Sequence, residues 1–206
     1  MTEPRNFISL VVLAAGKSSR FGSNKLLSEI DGETMIQRVV RTSLASKASE
    51  VVVVVGFEED KIRYTLQSYE SRIVSNLEFE KGQTSSVIAG MNSVKKHANA
   101  AMILPGDLAF IKPEQIDKVI DEYNLAPSSI VVASYRGRMG HPILFDHALF
   151  DEMLKITEEK AGLKEVVNRH RSEIRRIEVE SREILVDIDI PYDLRSLEKE
   201  KGPKTV

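Results

Sequence analysis

Phe7-Ile-Ser-Leu-Val-Val-Leu-Ala-Ala-Gly-Lys-Ser-Ser-Arg-Phe-Gly-Ser-Asn-Lys25 is the stretch from which the architecture of this chain can be read. Its first part, Phe7 to Leu13, is a short apolar run bounded by small residues, the pattern of a buried strand. Its second part turns to glycine, serine and three cations, Lys17, Arg20 and Lys25, with no acidic residue among them. A strand that empties into a small-residue loop presents backbone N–H groups, and with cations nearby these make a site for phosphate. Two familiar phosphate loops are excluded. A Walker A loop requires glycine at the position of Val11. The dinucleotide fingerprint requires glycines closer together than Gly16 and Gly22.

Working outward, strand-like and helix-like runs alternate. Thr34-Met-Ile-Gln37 has the form of a capping box and opens a helix to about Ser46. Val51 to Val55 is an unbroken valine run, as expected of a strand buried on both faces of a parallel sheet. A polar helix from about Glu58 to Gln67 and a short strand from Arg72 to Ser75 follow. Thr84 or Ser85 is placed to cap a helix reaching about Lys96. Ala100 to Leu104 reads as a strand, Pro113 as the first turn of a helix to Tyr123, and Ser129 to Ser134 as another strand. In the more charged final third, Pro142 to Phe145 suggests a short strand, and His147–Ile156 and Gly162–His170 suggest helices. Ile174–Val179 and Ile184–Val186 suggest a hairpin at the sheet edge, and Pro191 opens a last helix. The order predicts a Rossmann-like, doubly wound α/β domain with a mostly parallel sheet and a small antiparallel edge. No repeat or linker interrupts it, so one domain over 1–206 is expected, with its core at about 7–198 and a frayed tail.

Composition narrows the partners. The chain has 206 residues, 42% hydrophobic, enough for one well-buried core. Its 29 basic and 31 acidic residues leave a net charge of −2, so nothing in the balance attracts nucleic acid or an anionic membrane, and any anion site is local. With no cysteine there is no disulfide, thiolate metal site or cysteine nucleophile. No signal or membrane-spanning segment is legible, and a cytoplasmic location is expected.

Open α/β sheets bind ligands beyond the carboxyl ends of their strands. At that rim, Pro105-Gly106-Asp107-Leu108 puts a carboxylate beside the cationic loop. A carboxylate repels phosphate unless a divalent cation lies between them, and magnesium takes carboxylates together with substrate phosphates. Near the chain end, Asp187 and Asp189 are two residues apart and would share a face if extended.

The Leu13–Lys25 stretch matches L-A-A-G-x-S-x-R-[MF]-G-x-x-K, and by this the chain resembles the MobA-like nucleotidyltransferases, most closely their molybdenum cofactor cytidylyltransferase branch. Gly106-Asp107-Leu108-Ala109 is similar to the family's Gly-Asp-x-Pro. Asp187-Ile-Asp189-Ile-Pro191-Tyr-Asp193-Leu194 is similar to its Asp-x-Asp-x-Pro-x-Asp-Leu. Asn76 to Ser86 resembles the N-x(5)-G-x-x-x-S segment and Gly140-His141-Pro142 the acceptor-side G-H-P turn. These motifs run from Leu13 to Leu194 in the family's order.

The resemblance implies a nucleotide-diphospho-sugar-transferase-like fold and transfer of a nucleoside monophosphate to an acceptor phosphate, with release of pyrophosphate. Leu13, Ala14, Ala15, Gly16, Lys17, Ser18, Ser19, Gly22, Gly82 and Ser86 are the implied nucleotide-binding residues. Arg20, Lys25 and Asp107 are the implied catalytic ones, and Gly140, His141 and Pro142 the acceptor-binding ones. Asp107 and Asp189 would hold Mg²⁺, with Mn²⁺ as an alternative, and Asp187 stands next in line. Leu-Ala-Ala-Gly, in place of Leu-Ala-Gly-Gly, favours CTP over GTP. The implied acceptor is molybdopterin carrying molybdenum, and a recipient molybdoenzyme is an implied partner. Two departures stand out: Ala109 replaces the motif's proline, and Lys160 stands where the family's later G-D-x-G motif has aspartate. They leave open the exact acceptor and a non-catalytic binding or chaperone module; a guanylyltransferase and a cytidylyltransferase of a sugar or polyol phosphate are the sister alternatives. His97, His147 and His170 read as surface residues.

Overall fold

The computed structural model of the protein describes residues 6–17 and 24–185. The expected Ser18, Ser19, Arg20 and Gly22 of the loop lie outside the described residues. So do Asp187, Asp189, Pro191 and Asp193.

Nine strands are described: β1 (Ile8–Ala14), β2 (Glu29–Ile30), β3 (Glu33–Thr34), β4 (Glu50–Val55), β5 (Arg72–Ser75), β6 (Ala100–Pro105), β7 (Ile130–Tyr135), β8 (Arg138–Asp146) and β9 (Ile174–Glu178). The helices are α1 (Met35–Leu44), α2 (Glu59–Thr65), α3 (Gln83–Val94), α4 (Pro113–Leu125), α5 (Phe150–Met153) and α6 (Leu163–Arg169). Seven strands form one sheet in the order β5-β4-β1-β6-β8-β7-β9, while β2 and β3 make a separate antiparallel pair. All pairings in the large sheet are parallel except those of β8, which runs against both β6 and β7. The carboxyl ends of β1, β4, β6 and β7 therefore open on one rim.

The valine and leucine runs form central strands because both faces are covered. On one face Leu10, Val12, Val53 and Met102 pack against Ile36 and Val39 of α1 and Ile116 and Val119 of α4. On the other, Val11, Val52, Val54 and Ile103 pack against Val87 and Met91 of α3, Met153 of α5 and Val166 of α6. Gly90 of α3 is required by closeness: a Cβ there would come within 2.5 Å of Val11 Cγ1. The capping box at α1 forms as expected, with the Thr34 side chain accepting from Gln37 N and the Gln37 side chain accepting from Thr34 N. Such a cap stabilises a helix by about 1 kcal/mol.

Three expectations are corrected. α3 is not capped by Thr84 or Ser85, because it starts at Gln83 behind Gly82. The cap comes from elsewhere in the fold: Glu158 Oε1 accepts from Thr84 N at 2.6 Å. Pro142–Phe145 is only part of the nine-residue β8, joined to β7 by a two-residue turn in which Arg136 and Gly137 both take positive φ (50° and 76°), as a tight hairpin turn requires. Finally, Ile174–Glu178 pairs parallel with β7, and Arg182–Leu185 forms a 3-10 turn, so the expected edge hairpin does not exist between them. Ile184 is buried in the main core, and its backbone covers Gly140.

His170 ties α6 to its neighbours, with Nε2 2.9 Å from Glu152 and Nδ1 3.1 Å from Glu173; Arg169 shares Glu152. The bond to Glu152, then that to Glu173, raises the His170 pKa above its ordinary 6.5. A histidine with a raised folded value contributes stability that is complete below the unfolded pKa and is lost as pH rises through the folded one. His170→Asn is therefore expected to lower stability in urea at about pH 5.5 more than at about pH 8.5.

Candidate functional site

The rim carries a cleft of about 420 Å³. One wall is the end of β1 and the loop after it, where Leu13, Ala15, Gly16 and Lys17 line the space and Lys25 re-enters it. The floor is Pro105-Gly106-Asp107 at the end of β6, and the far wall is Phe79, Glu80, Gly82, Gln83 and Ser86. Ala14 points the other way, its methyl group buried in the core.

The centre of the cleft is an ion pair. Lys25 Nζ lies 2.6 Å from Asp107 Oδ2, with only 15% and 17% of the two side chains exposed. The two residues are brought together by adjacent parallel strands, β1 and β6, in the register Leu13↔Pro105. Gly106 closes the join: its N–H donates to Leu13 O at 2.9 Å, and a Cβ would sit 2.8 Å from the same oxygen. Lys25 begins a 3-10 turn that Asn24 caps through Leu26 N, and Asn24 Nδ2 also donates to Phe57 O. Asp107 Oδ1 is enclosed and has no hydrogen-bond partner. That oxygen is a hard ligand suited to a divalent cation. Among the described residues no group of three or more acidic, histidine or cysteine side chains is arranged to hold a metal.

At the mouth, Lys17 Nζ reaches Glu80 Oε1 at 2.5 Å and lies 5.7 Å from the centroid of the Phe79 ring. The hydrogen bond to Lys17 and its charge hold the Glu80 carboxyl below the usual carboxylate range. Phe79, Glu80 and Gln83 lie inside the Asn76–Ser86 segment but carry no motif position of their own. Asn76 is equally central: its Nδ2 donates to Ser85 Oγ (2.8 Å) and Ser86 Oγ (3.0 Å), fixing the first turn of α3. Gly82, at φ 99°, leads into that turn.

Gly140, His141 and Pro142 do not line the cleft. They lie on β8, where the antiparallel ladder with β6 runs through Ile103↔Ile143, and its continuation brings His141 level with Pro105. The Nδ1 of His141 is enclosed without a partner. Burial lowers the His141 pKa, while the Ile103 backbone and the Asp107 charge act against it. The net direction leaves a neutral imidazole beside the cleft at neutral pH.

The two glycines nearest the ion pair make opposite predictions. Gly106→Ala is expected to cost about 1–3 kcal/mol in urea unfolding, since a backbone oxygen cannot yield to the new methyl group. Gly16→Ala, whose Cβ would meet nothing within 4 Å, is expected to change stability little.

Known proteins resemble this chain in sequence and in fold. A probable molybdenum cofactor guanylyltransferase of Thermococcus sibiricus is 28% identical over 73% of this chain and 74% of its own length. The bifunctional protein GlmU of Solibacter usitatus is 27% identical over 77% of this chain, which spans only 34% of that relative. Among solved structures, the Rv0371C protein of Mycobacterium tuberculosis H37Rv, in complex with manganese, superposes with a TM-score of 0.78 at 21% identity, over 93% of this chain and 98% of the other. No helix among the described residues is long and apolar enough to cross a membrane. Residues 10–174 match the MobA-like NTP transferase domain, and the chain belongs to that family of nucleotidyltransferases.

Proposed function

We propose that this chain, as one nucleotidyltransferase domain, transfers CMP from CTP to the terminal phosphate of a molybdopterin-type acceptor, with Mg²⁺ or Mn²⁺ bound. The observation that carries the reading is the Lys25–Asp107 pair at the floor of a cleft walled by the β1 loop. An acceptor phosphate oxygen forms a bond to the α-phosphorus, the bond from that phosphorus to the oxygen bridging to the β-phosphate breaks, and pyrophosphate leaves with the electron pair. The nucleophile is already ionised at neutral pH, so the protein's work is positioning and charge neutralisation.

Backbone groups of Ala15 to Ser19, with Arg20, hold the β- and γ-phosphates in this reading. Lys25 turns from Asp107 to the α-phosphate and stabilises the charge that develops there. Asp107, with Asp189, would hold the cation; the enclosed, unpartnered Oδ1 of Asp107 suits that role. When bound, the cation would neutralise phosphate charge and act as a Lewis acid. Gly82 and Ser86 line the nucleotide side, and Gly140, His141 and Pro142 flank the cleft on the acceptor side of this reading, where the neutral His141 adds no charge to trap a phosphate. The manganese complex of the mycobacterial neighbour supports a divalent metal.

Leu13-Ala-Ala-Gly16 favours CTP. The Thermococcus relative, a probable guanylyltransferase, supports GTP as a second reading. Pyrophosphate release from each of the common triphosphates, with Mg²⁺ or Mn²⁺ and molybdopterin or sugar phosphates as acceptors, separates the two. Lys25→Ala or Asp107→Ala is expected to lower turnover by about 100-fold or more, the scale seen when one charge-stabilising group is lost. Near wild-type release by either folded variant overturns the reading, and tight ligand binding with no release identifies a binding module instead.

A further inference from the structure

Arg38 of α1 is not among the described residues that line the cleft, yet it joins the segments that carry both halves of the central ion pair. Its Nη1 donates to Ile30 O at 2.9 Å and its Nε to Ala109 O at 3.4 Å. The same guanidinium lies 3.6 Å from Asp31 Oδ2 and 5.7 Å from the centroid of the Phe110 ring. Only 17% of its side chain is exposed. Ile30 follows the Lys25–Leu27 turn through a short strand, and Ala109 lies just past Asp107. Beneath the guanidinium, Ile30, Met35 and Ala109 form a small buried cluster of their own.

The Asp107 loop is tied to β1 by the Gly106 N–H and packed through the buried Leu108, Ala109 and Ile111, but its own backbone closes loosely. Its internal backbone bonds, Leu108 N to Pro105 O and Ile111 N to Leu108 O, measure 3.4 and 3.1 Å. Where the Gly-Asp-x-Pro pattern has a ring that fixes the backbone, this chain has Ala109. Arginine is suited to supply what is missing, because its rigid fork can donate to two carbonyls at once. A lysine ammonium has no such fork, and an uncharged amide is too short. Without Arg38 the Ile30 and Ala109 carbonyls lose a charged donor, and the two loops lose their common anchor.

We propose that Arg38 is a positioning residue for the metal-binding carboxylate. By clamping the Ile30 and Ala109 carbonyls it sets the separation of Lys25 and Asp107, replacing the restraint that proline supplies in the pattern the chain departs from. The inference rests on the reading of Asp107 as a cation ligand.

The test uses the full chain with Mn²⁺ as probe, measured by electron paramagnetic resonance in the presence of CTP, and by kcat and KM for CTP. Arg38→Gln is expected to weaken Mn²⁺ binding about tenfold or more, as loss of a group that orients a metal ligand does. It should lower kcat to match, with a rise in the KM for CTP no larger than the loss of Mn²⁺ affinity. Arg38→Lys, which keeps the charge and the stem, should show a smaller loss and serves if the glutamine variant folds poorly. Ala109→Pro should be neutral alone and should restore most of the Mn²⁺ affinity in the Arg38→Gln background. Unchanged Mn²⁺ affinity in either Arg38 variant, even with a lower melting temperature, overturns the proposal. So does an Ala109→Pro that raises the melting temperature of the double variant without restoring Mn²⁺ binding, or that impairs binding alone. If the wild type itself binds no Mn²⁺ with CTP, the reading of Asp107 fails first and the proposal falls with it.

Discussion

The contact between Lys25 and Asp107 imposes the strictest demand on the surrounding structure. Both side chains are largely withdrawn from water, and removing an ammonium and a carboxylate from solvent costs several kcal/mol for each ion. Their attraction offsets that cost only if the geometry is tightly held, and the partners are 82 residues apart in the chain. The fold meets this demand by making β1 and β6 immediate neighbours and parallel, so that both residues leave the sheet on the same rim. Gly106 lets the two strand ends touch through backbone, Asn24 fixes the turn that starts at Lys25, and Arg38 anchors both loops from below.

The rest of the cleft is arranged so that charge stays balanced until a ligand arrives. Among the described residues, the acidic side chains that line it, Asp107 and Glu80, each face a lysine drawn from the β1 loop or its end. A polyanion entering such a cleft meets cations that already have partners and must compete for them. The one histidine beside the cleft is held neutral by burial, with its Nδ1 enclosed. Among the described residues, the cations that meet such a ligand are Lys17 and Lys25, each released by a carboxylate.

Much of this was legible in the residues. The valine run of β4 and the apolar runs of β1 and β6 announce strands covered on both faces, and Thr34 with Gln37 announces the start of α1. Lys25 and Asp107 could be assigned to one rim because the loops that carry them follow strands of an α/β alternation. What stayed hidden depended on contacts between distant segments. The cap of α3 is the Glu158 carboxylate, and no local pattern near Gln83 reveals it. The β7–β8 turn places arginine at a positive-φ position, where a glycine or asparagine would have signalled the hairpin. Glu80 reads as one more solvated charge until Lys17 is seen to reach it.

The sequence by itself determined the strand and helix periodicity, the buried central strands and the family of chemistry. These follow from side-chain type at short spacing, and burial of a face is encoded residue by residue. The tertiary structure alone decided that β8 runs against its neighbours, that β9 pairs with β7, and that Gly140 to Pro142 flank the cleft instead of lining it. It also decided which cation meets which carboxylate. Those outcomes depend on which distant backbone edges and side chains become neighbours, which only packing of the whole sheet and its two helix layers specifies.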